Sequence, residues 1–478
     1  MSDILNDYFS TVFTIENLNK LPKIKEGDKS YQPTVQNEFV TIDITEEKVF
    51  NALNSMKPNK AGGVDELNSS YLLGIAQEIT EPLTILFRKS LETGEIPEDW
   101  KNAHVTPIFK KGSKMKPENY RPVSLTSHVC KTFERMITQE MVKHLEGNHL
   151  IKESQHGFRD KRSCLTNLLE TVEKIGESLD KGSPVDIIYL DFRKAFDKVP
   201  HERLAIKLKG LGVGGKILGW VQEWLRGRRQ RVVLNGELSN WTQVLSGVPQ
   251  GSVLGPILFT VFINDLDEGI RNLVKKFADD TKLIGRAGSS EEISSIKEDL
   301  EKMEEWSIRW QMEFNTEKCK VMHLGYNNIV AKYLMGGKEL ETVREEKDLG
   351  VIFNDSFKVG NQCLKAANKG NQMLGMIKRT FVSRSKKVIL RLYKTLVRPH
   401  LEYCVQAWRP HLKKDVDVIE RVQRRATRMM VGGRKLEYEK RLKFTGLTTV
   451  ETRRERADML EVYKIMNGLE GVVEKDFS

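Results

Sequence analysis

The stretch VDIIYLDF, residues 185–192, constrains this chain more than any other. Ile187 to Leu190 form an apolar run of strand length that leads directly into Asp191. A carboxylate at the end of a buried strand needs a hydrogen-bonding partner or a cation, because an unpaired charge out of water is too costly to keep. A second acidic feature, LVKKFADDTKLIG (residues 273–285), sets Asp279 and Asp280 between two short apolar runs, the pattern of a hairpin. Alone, such a pair reads as ordinary solvated turn residues. Together, a strand-end acid and two turn acids can meet at one sheet edge. Carboxylates converging without His or Cys make a hard, all-oxygen site suited to Mg²⁺ or Mn²⁺ rather than zinc. Two such ions about 4 Å apart activate an attacking hydroxyl and neutralise a leaving pyrophosphate.

The charge agrees with that chemistry. The 478 residues carry 77 Lys plus Arg against 66 Asp plus Glu, a net charge of +11, which favours polyanionic partners. No apolar run approaches the roughly 20 residues of a spanning helix, and the N-terminus has Asp3 and Asp7 where a signal peptide would be basic and then apolar. The expectation is an intracellular protein, nuclear and cytoplasmic, without a membrane partner. Five scattered cysteines form no CxxC or Cys/His ligand spacing, so neither disulfides nor structural zinc are expected. His400 and Cys404, four apart and able to share a helix face, are assigned no site.

Along the chain, one helix is expected around TEEKVFNALNSM and another over YLLGIAQEITEPLTILFRKSLETG, ending at Gly94. A strand, a Lys/Gly/Pro loop and a second strand follow in HVTPIFKKGSKMKPENYRPVSL. Farther on, an Asn235-Gly236 turn joins two strands. Ile293, Ile296, Leu300, Met303, Trp306 and Trp310 form the stripe of a helix covering a sheet. Near the C-terminus Arg421, Arg424, Arg425 and Arg428 share one face of a helix. The loop SGVPQGSVLGPILF puts Gln250 just before an apolar helix, whose N-terminal amides suit a phosphate or a base-paired nucleotide.

The ordered set YLDFRKAFD, SGVPQGSVLGPILF, KKFADD and FNTEKCKVMHLG, preceded by NYRPVSL and SQHGFR, resembles the reverse transcriptases of non-LTR retrotransposons, in particular the jockey-like group. The resemblance implies an α+β right-hand polymerase with fingers, a palm built on an antiparallel sheet, and a helical thumb. The matching boundaries are residues 1–55 as an N-terminal extension, 56–185 as fingers, 186–358 as palm and 359–478 as thumb and tail. It implies an RNA-directed DNA polymerase that uses an RNA template, a DNA primer and dNTPs.

By the same resemblance, Asp191 and Asp279 are the principal ligands of two Mg²⁺ (or Mn²⁺) ions, with Asp280 beside them and the main-chain carbonyl of Phe192 completing the sphere. Phe277 precedes the metal aspartate. Phe196 matches the gate that excludes a 2′-hydroxyl, and Asp197 next to it is read as structural. Gln250 lies against the nascent base pair. Arg121 reaches the triphosphate, with Lys110 or Lys111 as companion, and Lys318 matches the lysine that protonates the leaving pyrophosphate. Gly157, Phe158 and Arg159 are template-side residues, KDLGVIFND is the primer-grip hairpin, and the arginine face at 421–428 tracks a duplex backbone. Full-length elements of this kind carry an endonuclease, for which 55 leading residues leave no room, so a fragment, or an endonuclease supplied separately, is expected. The alternative reading is a nucleic-acid-binding relic whose metal site no longer turns over.

Overall fold

The computed structural model describes residues 1–23, 37–383, 385–432 and 434–472. Residues 24–36 of the expected extension and 473–478 of the expected tail therefore lie outside the described residues. The class is α+β: helices surround sheets whose strands pair mostly antiparallel. The strands that matter here are β1 (Asn102–Phe109), β2 (Tyr120–Leu125), β3 (Val185–Leu190), β4 (Arg229–Leu234), β5 (Glu237–Leu238), β6 (Thr242–Gln243), β7 (Leu273–Phe277), β8 (Asp280–Arg286) and β9 (Lys320–Leu324). Contacts divide the chain into two units, each assembled from separated segments.

The first unit comprises Met1–Phe158, Asp191–Ile270 and Asp299–Asn315. Its sheet runs β2-β1-β4-β5, with β6 also paired to β4. β4 and β5 meet through Asn235 and Gly236, both at positive φ, the left-handed pair that an Asn-Gly turn supplies. Against this sheet lies the helix Ser2–Thr11, whose Leu5 and Phe9 bury themselves on Val105 and Val232. Asn6 Nδ2 fastens the helix by donating to the Asn240 carbonyl at 2.9 Å and to Thr242 Oγ1 at 2.7 Å. A separate aromatic core stacks Phe87 on Phe133 at 4.8 Å, with Trp220 edge-on to Phe133 at 5.0 Å. The single helix expected up to Gly94 is two, Ser69–Gly74 and Ala76–Thr93, because Ile75 leaves helical geometry between them. Gly94 does end the second one, at φ +74.

The second unit comprises Arg159–Leu190, Arg271–Glu298 and Thr316–Ser478. Its sheet follows the order Glu341–Thr342, β9, β3, β8, β7. β3 is the central strand, with Val185, Asp186, Ile187 and Ile188 all buried. Gly285 in β8 lets the helix Ser290–Trp310 approach, since a Cβ there would stand 2.6 Å from Ile296 Cγ1. All six residues of the expected helical stripe are buried. A hairpin pairs Glu345–Asp348 with Val351–Asn354. Helices 360–380, 413–430 and 450–466 follow; Leu374, Ile377, Tyr393, Ile419 and Val422 are part of their core.

Candidate active site

Asp279 sits on a two-residue turn. β7 and β8 pair with Phe277 opposite Asp280, so Ala278 and Asp279 alone join the strands. Ala278 has φ +54 at the first of these positions, where glycine is the usual occupant. Asp280 is exposed and Asp279 half-buried. Both strands of this hairpin are anchored by ion pairs. Lys275 and Lys282 stand opposite each other in the register and both are buried. Lys275 pairs with Glu170, which Arg162 also meets at 3.0 Å, and Lys282 pairs with Asp348. Burial pulls the Lys282 ammonium pKa down, against the opposing pull of Asp348.

β3 pairs with β8 so that Leu190 lies opposite Thr281. Asp191 is the next residue of the chain, half-buried, and its carbonyl accepts from Asn315 N at 2.7 Å. The Phe192 ring is buried, stacked on Phe314 at 4.4 Å. Among the described residues, no three His, Cys, Asp or Glu side chains are gathered into a group that could hold a metal ion. The donor chemistry of Asp191, Asp279 and Asp280 is nevertheless that of a hard cation, since all their oxygens are carboxylate.

Within the first unit the structure brings Phe196 and Gln250 into one assembly. Phe196 stacks on Phe259 with ring centroids 4.4 Å apart, and Phe158 stands edge-on to it at 6.3 Å. Its carbonyl accepts from Val248 N at 2.8 Å, which ties it to the loop that carries Gln250. The Gln250 carbonyl accepts from Ser124 N at 2.7 Å, and its side-chain Nε2 donates to Asp197 Oδ1 at 2.9 Å. Asp197 is buried, and that burial pushes its carboxyl pKa up to about 6, against the bond from Gln250 and the charge of Lys194. Gly251, at φ +123, lies so close to the Ser124 carbonyl that a Cβ would stand 2.4 Å from it.

The expectation that amides at this helix N-terminus are available for a phosphate is corrected. The carboxylate of Glu134 accepts from Val253 N at 2.7 Å and Leu254 N at 3.2 Å, while Ser252 Oγ accepts from Gly255 N at 3.0 Å. A buried glutamate already takes the role an anion would have. His400 and Cys404 likewise do not share a helix face, because the helix ends at Glu402 and Cys404 turns to φ +48.

Lys110 and Arg121 are exposed on the two limbs of the β1–β2 hairpin, where Phe109 pairs with Tyr120 and Ile108 with Arg121. In the second unit, Lys318 is an exposed turn residue and Arg159 is half-buried. Arg421, Arg424, Arg425 and Arg428 are all exposed on the helix Lys413–Met430, whose opposite face buries Ile419, Val422 and Ala426. Arg424 lies over the Tyr438 ring at 4.5 Å, and Arg425 Nη1 donates to Asn371 Oδ1 at 3.3 Å. Asp197, read from sequence as structural, is buried and holds the Gln250 amide. Glu134 was not singled out, and its amide partners Val253 and Leu254 lie over a hundred residues away.

Comparison with known proteins defines the class. Residues 108–377, more than half of the chain, match the family model "Reverse transcriptase (RNA-dependent DNA polymerase)", and the chain belongs to that family. It is similar to the "RNA-directed DNA polymerase from mobile element jockey" of Drosophila funebris, 27% identical over 81% of this chain and 44% of that protein. It is also similar to the "Probable RNA-directed DNA polymerase from transposon X-element" of Drosophila melanogaster, 25% identical over 87% of this chain and 47% of that one. The "Putative 115 kDa protein in type-1 retrotransposable element R1DM" of the same species is 24% identical over 80% of this chain and 37% of that protein. The chain thus spans less than half the length of these relatives. Membership in the jockey-like group of non-LTR retrotransposon reverse transcriptases, expected from the motifs, agrees with these likenesses. Among the described residues no helix is long and apolar enough to cross a membrane.

Proposed function

We propose that this chain extends a DNA primer on an RNA template, in the manner of the reverse transcriptases of non-LTR retrotransposons. The observation that carries the reading is the Asp279 turn: a two-residue connection with a left-handed alanine, held by two strands that each bury a lysine–carboxylate pair. Backbone strain of this kind persists where the surroundings enforce it and is concentrated at functional sites. In this proposal Asp191, Asp279 and Asp280, with the Phe192 carbonyl, hold two Mg²⁺ or Mn²⁺ ions. Such ions, when bound, activate the primer 3′-hydroxyl and neutralise the departing pyrophosphate. A few carboxylates completed by substrate phosphates suit Mg²⁺, so a preassembled cage is not needed.

The remaining roles fall to the chain's own groups. Arg121 and Lys110, on one hairpin, bind triphosphate oxygens, the guanidinium in bidentate fashion. Phe196, backed by Phe259, closes the space a ribose 2′-hydroxyl would occupy. Gln250 lies against the new base pair, and Lys318 is the proton donor to pyrophosphate. Arg159 and the arginines of the helix Lys413–Met430 neutralise template and duplex phosphates. In this proposal residues 56–185 are the fingers, 186–358 the palm and 359–478 the thumb and tail. Purified protein with Mg²⁺, an RNA template, an annealed DNA primer and dNTPs is expected to extend the primer, and Asp279→Asn to abolish extension. Undiminished extension by that variant would remove Asp279 from the mechanism.

A further inference from the structure

Resting on the reading of Gln250 just given, we propose that Asp197 is a positioning residue that fixes which end of the Gln250 amide faces the nascent base pair. An ionised carboxylate only accepts, so the group turned toward Asp197 Oδ1 at 2.9 Å must be the amide NH₂. The amide oxygen, Oε1, is thereby left to face the other way. A bond to a charged acceptor is also about twice as strong as one between neutral groups, which holds the orientation against rotation of the side chain.

The surrounding framework is built for this. Ser246 Oγ donates to the Asp197 carbonyl at 2.8 Å, and Gly247 N donates to the Val199 carbonyl at 2.8 Å. Gly247, at φ +89, packs so tightly that a Cβ would stand 2.7 Å from the Asp197 backbone. The backbone carrying Asp197 and the loop carrying Gln250 are thus fastened to each other, leaving the amide rotation as the free choice. The second carboxylate oxygen, Oδ2, is buried without a partner among the described residues, as are Arg228 Nη2 and Gln230 Nε2. All three residues line one cavity of about 30 Å³, large enough for a water, whose lining is otherwise largely apolar. The charged and titratable groups around Asp197 are Lys194 on its own segment, Tyr8 on the N-terminal helix, and Arg228 and Arg229, which line the same cavity.

Asparagine at this position would accept from or donate to the glutamine equally well and so would not select an orientation. Wild type, Asp197→Asn, Gln250→Ala and the double variant are to be compared in primer extension, with folding checked by circular dichroism. Each single variant is expected to raise KM for dNTP about tenfold with kcat within about threefold, the size of one charged hydrogen bond. The double variant should be no worse than the poorer single one. Wild-type KM should also rise as pH falls below about 6, where Asp197 is protonated and able to donate, and Asp197→Asn should lack that rise. If Asp197→Asn does not fold, Gln250→Glu replaces it. Two carboxyls then face each other, and KM should rise as pH increases through that range. Multiplying effects in the double variant, an unchanged KM in Asp197→Asn, or a flat pH profile in Gln250→Glu overturns the proposal. A wild-type chain that does not extend primers at all overturns the polymerase reading instead.

Discussion

Ala278 and Phe196 illustrate how single residues carry the reading. A left-handed alanine costs on the order of 1–2 kcal/mol relative to ordinary backbone, yet here it aims the aspartate that follows it. Phe196 is braced from behind by the Phe259 ring, so its own ring cannot easily retreat. Phe196→Val is therefore expected to admit ribonucleotides, raising the rNTP to dNTP ratio of kcat/KM by about 10- to 100-fold, a steric term of a few methylenes. Single-nucleotide incorporation with matched rNTP and dNTP measures it, and unchanged discrimination would show that another group guards the sugar. Phe196 was legible because it stands in a short motif, whereas the left-handed Ala278 was not. Asp197 was not given its part, since nothing local distinguishes a buried acid that holds a neighbour's amide from one that caps a turn.

Hairpins and helices divide according to where their stabilising partners lie. The turn at Asn235-Gly236 could be read from sequence, because turn chemistry is a property of adjacent residues. The other turn, expected at Asp279 and Asp280, falls one residue earlier, at Ala278 and Asp279, and Asp280 opens β8. The arginine stripe and the Ile293 to Trp310 stripe were equally readable from helical spacing. Less readable is that Lys275 and Lys276, two charged residues in a strand, are both buried. Glu170 and Asp348, far away in sequence, make burial of Lys275 and Lys282 tolerable. Lys282→Met is expected to destabilise the protein by about 3 kcal/mol, by stranding the Asp348 carboxylate. Adding Asp348→Leu should recover most of that loss, because an apolar pair of similar volume is about as stable as a buried ion pair. Urea unfolding of the three proteins tests this, and a double variant less stable than the single one would contradict it.

For the molecule as a whole, the excess of 11 positive charges has a definite outlet in the exposed arginines of the helix Lys413–Met430. Replacing Arg421, Arg424, Arg425 and Arg428 with glutamine is expected to weaken binding of an RNA–DNA hybrid with little dependence on sequence. The salt dependence, log Kd against log salt, should become shallower by about 3 in slope. Fluorescence anisotropy over a salt series measures it, and an unchanged slope would mean these cations do not meet phosphates. The sequence disclosed the α+β class and the order of its motifs, but not the segmented make-up of the two units, which depends on pairings between distant strands.

The N-terminal helix bears on how such a chain is made. Asn6 is bound to Thr242, 236 residues away, and Leu5 and Phe9 rest on a strand that ends at Leu234. During synthesis this helix leaves the ribosome long before its docking surface exists, with its apolar side uncovered for the time needed to translate more than two hundred residues. At about 5–20 residues per second that interval lasts some 10–50 seconds. The first unit is completed only when the segment ending at Asn315 has emerged.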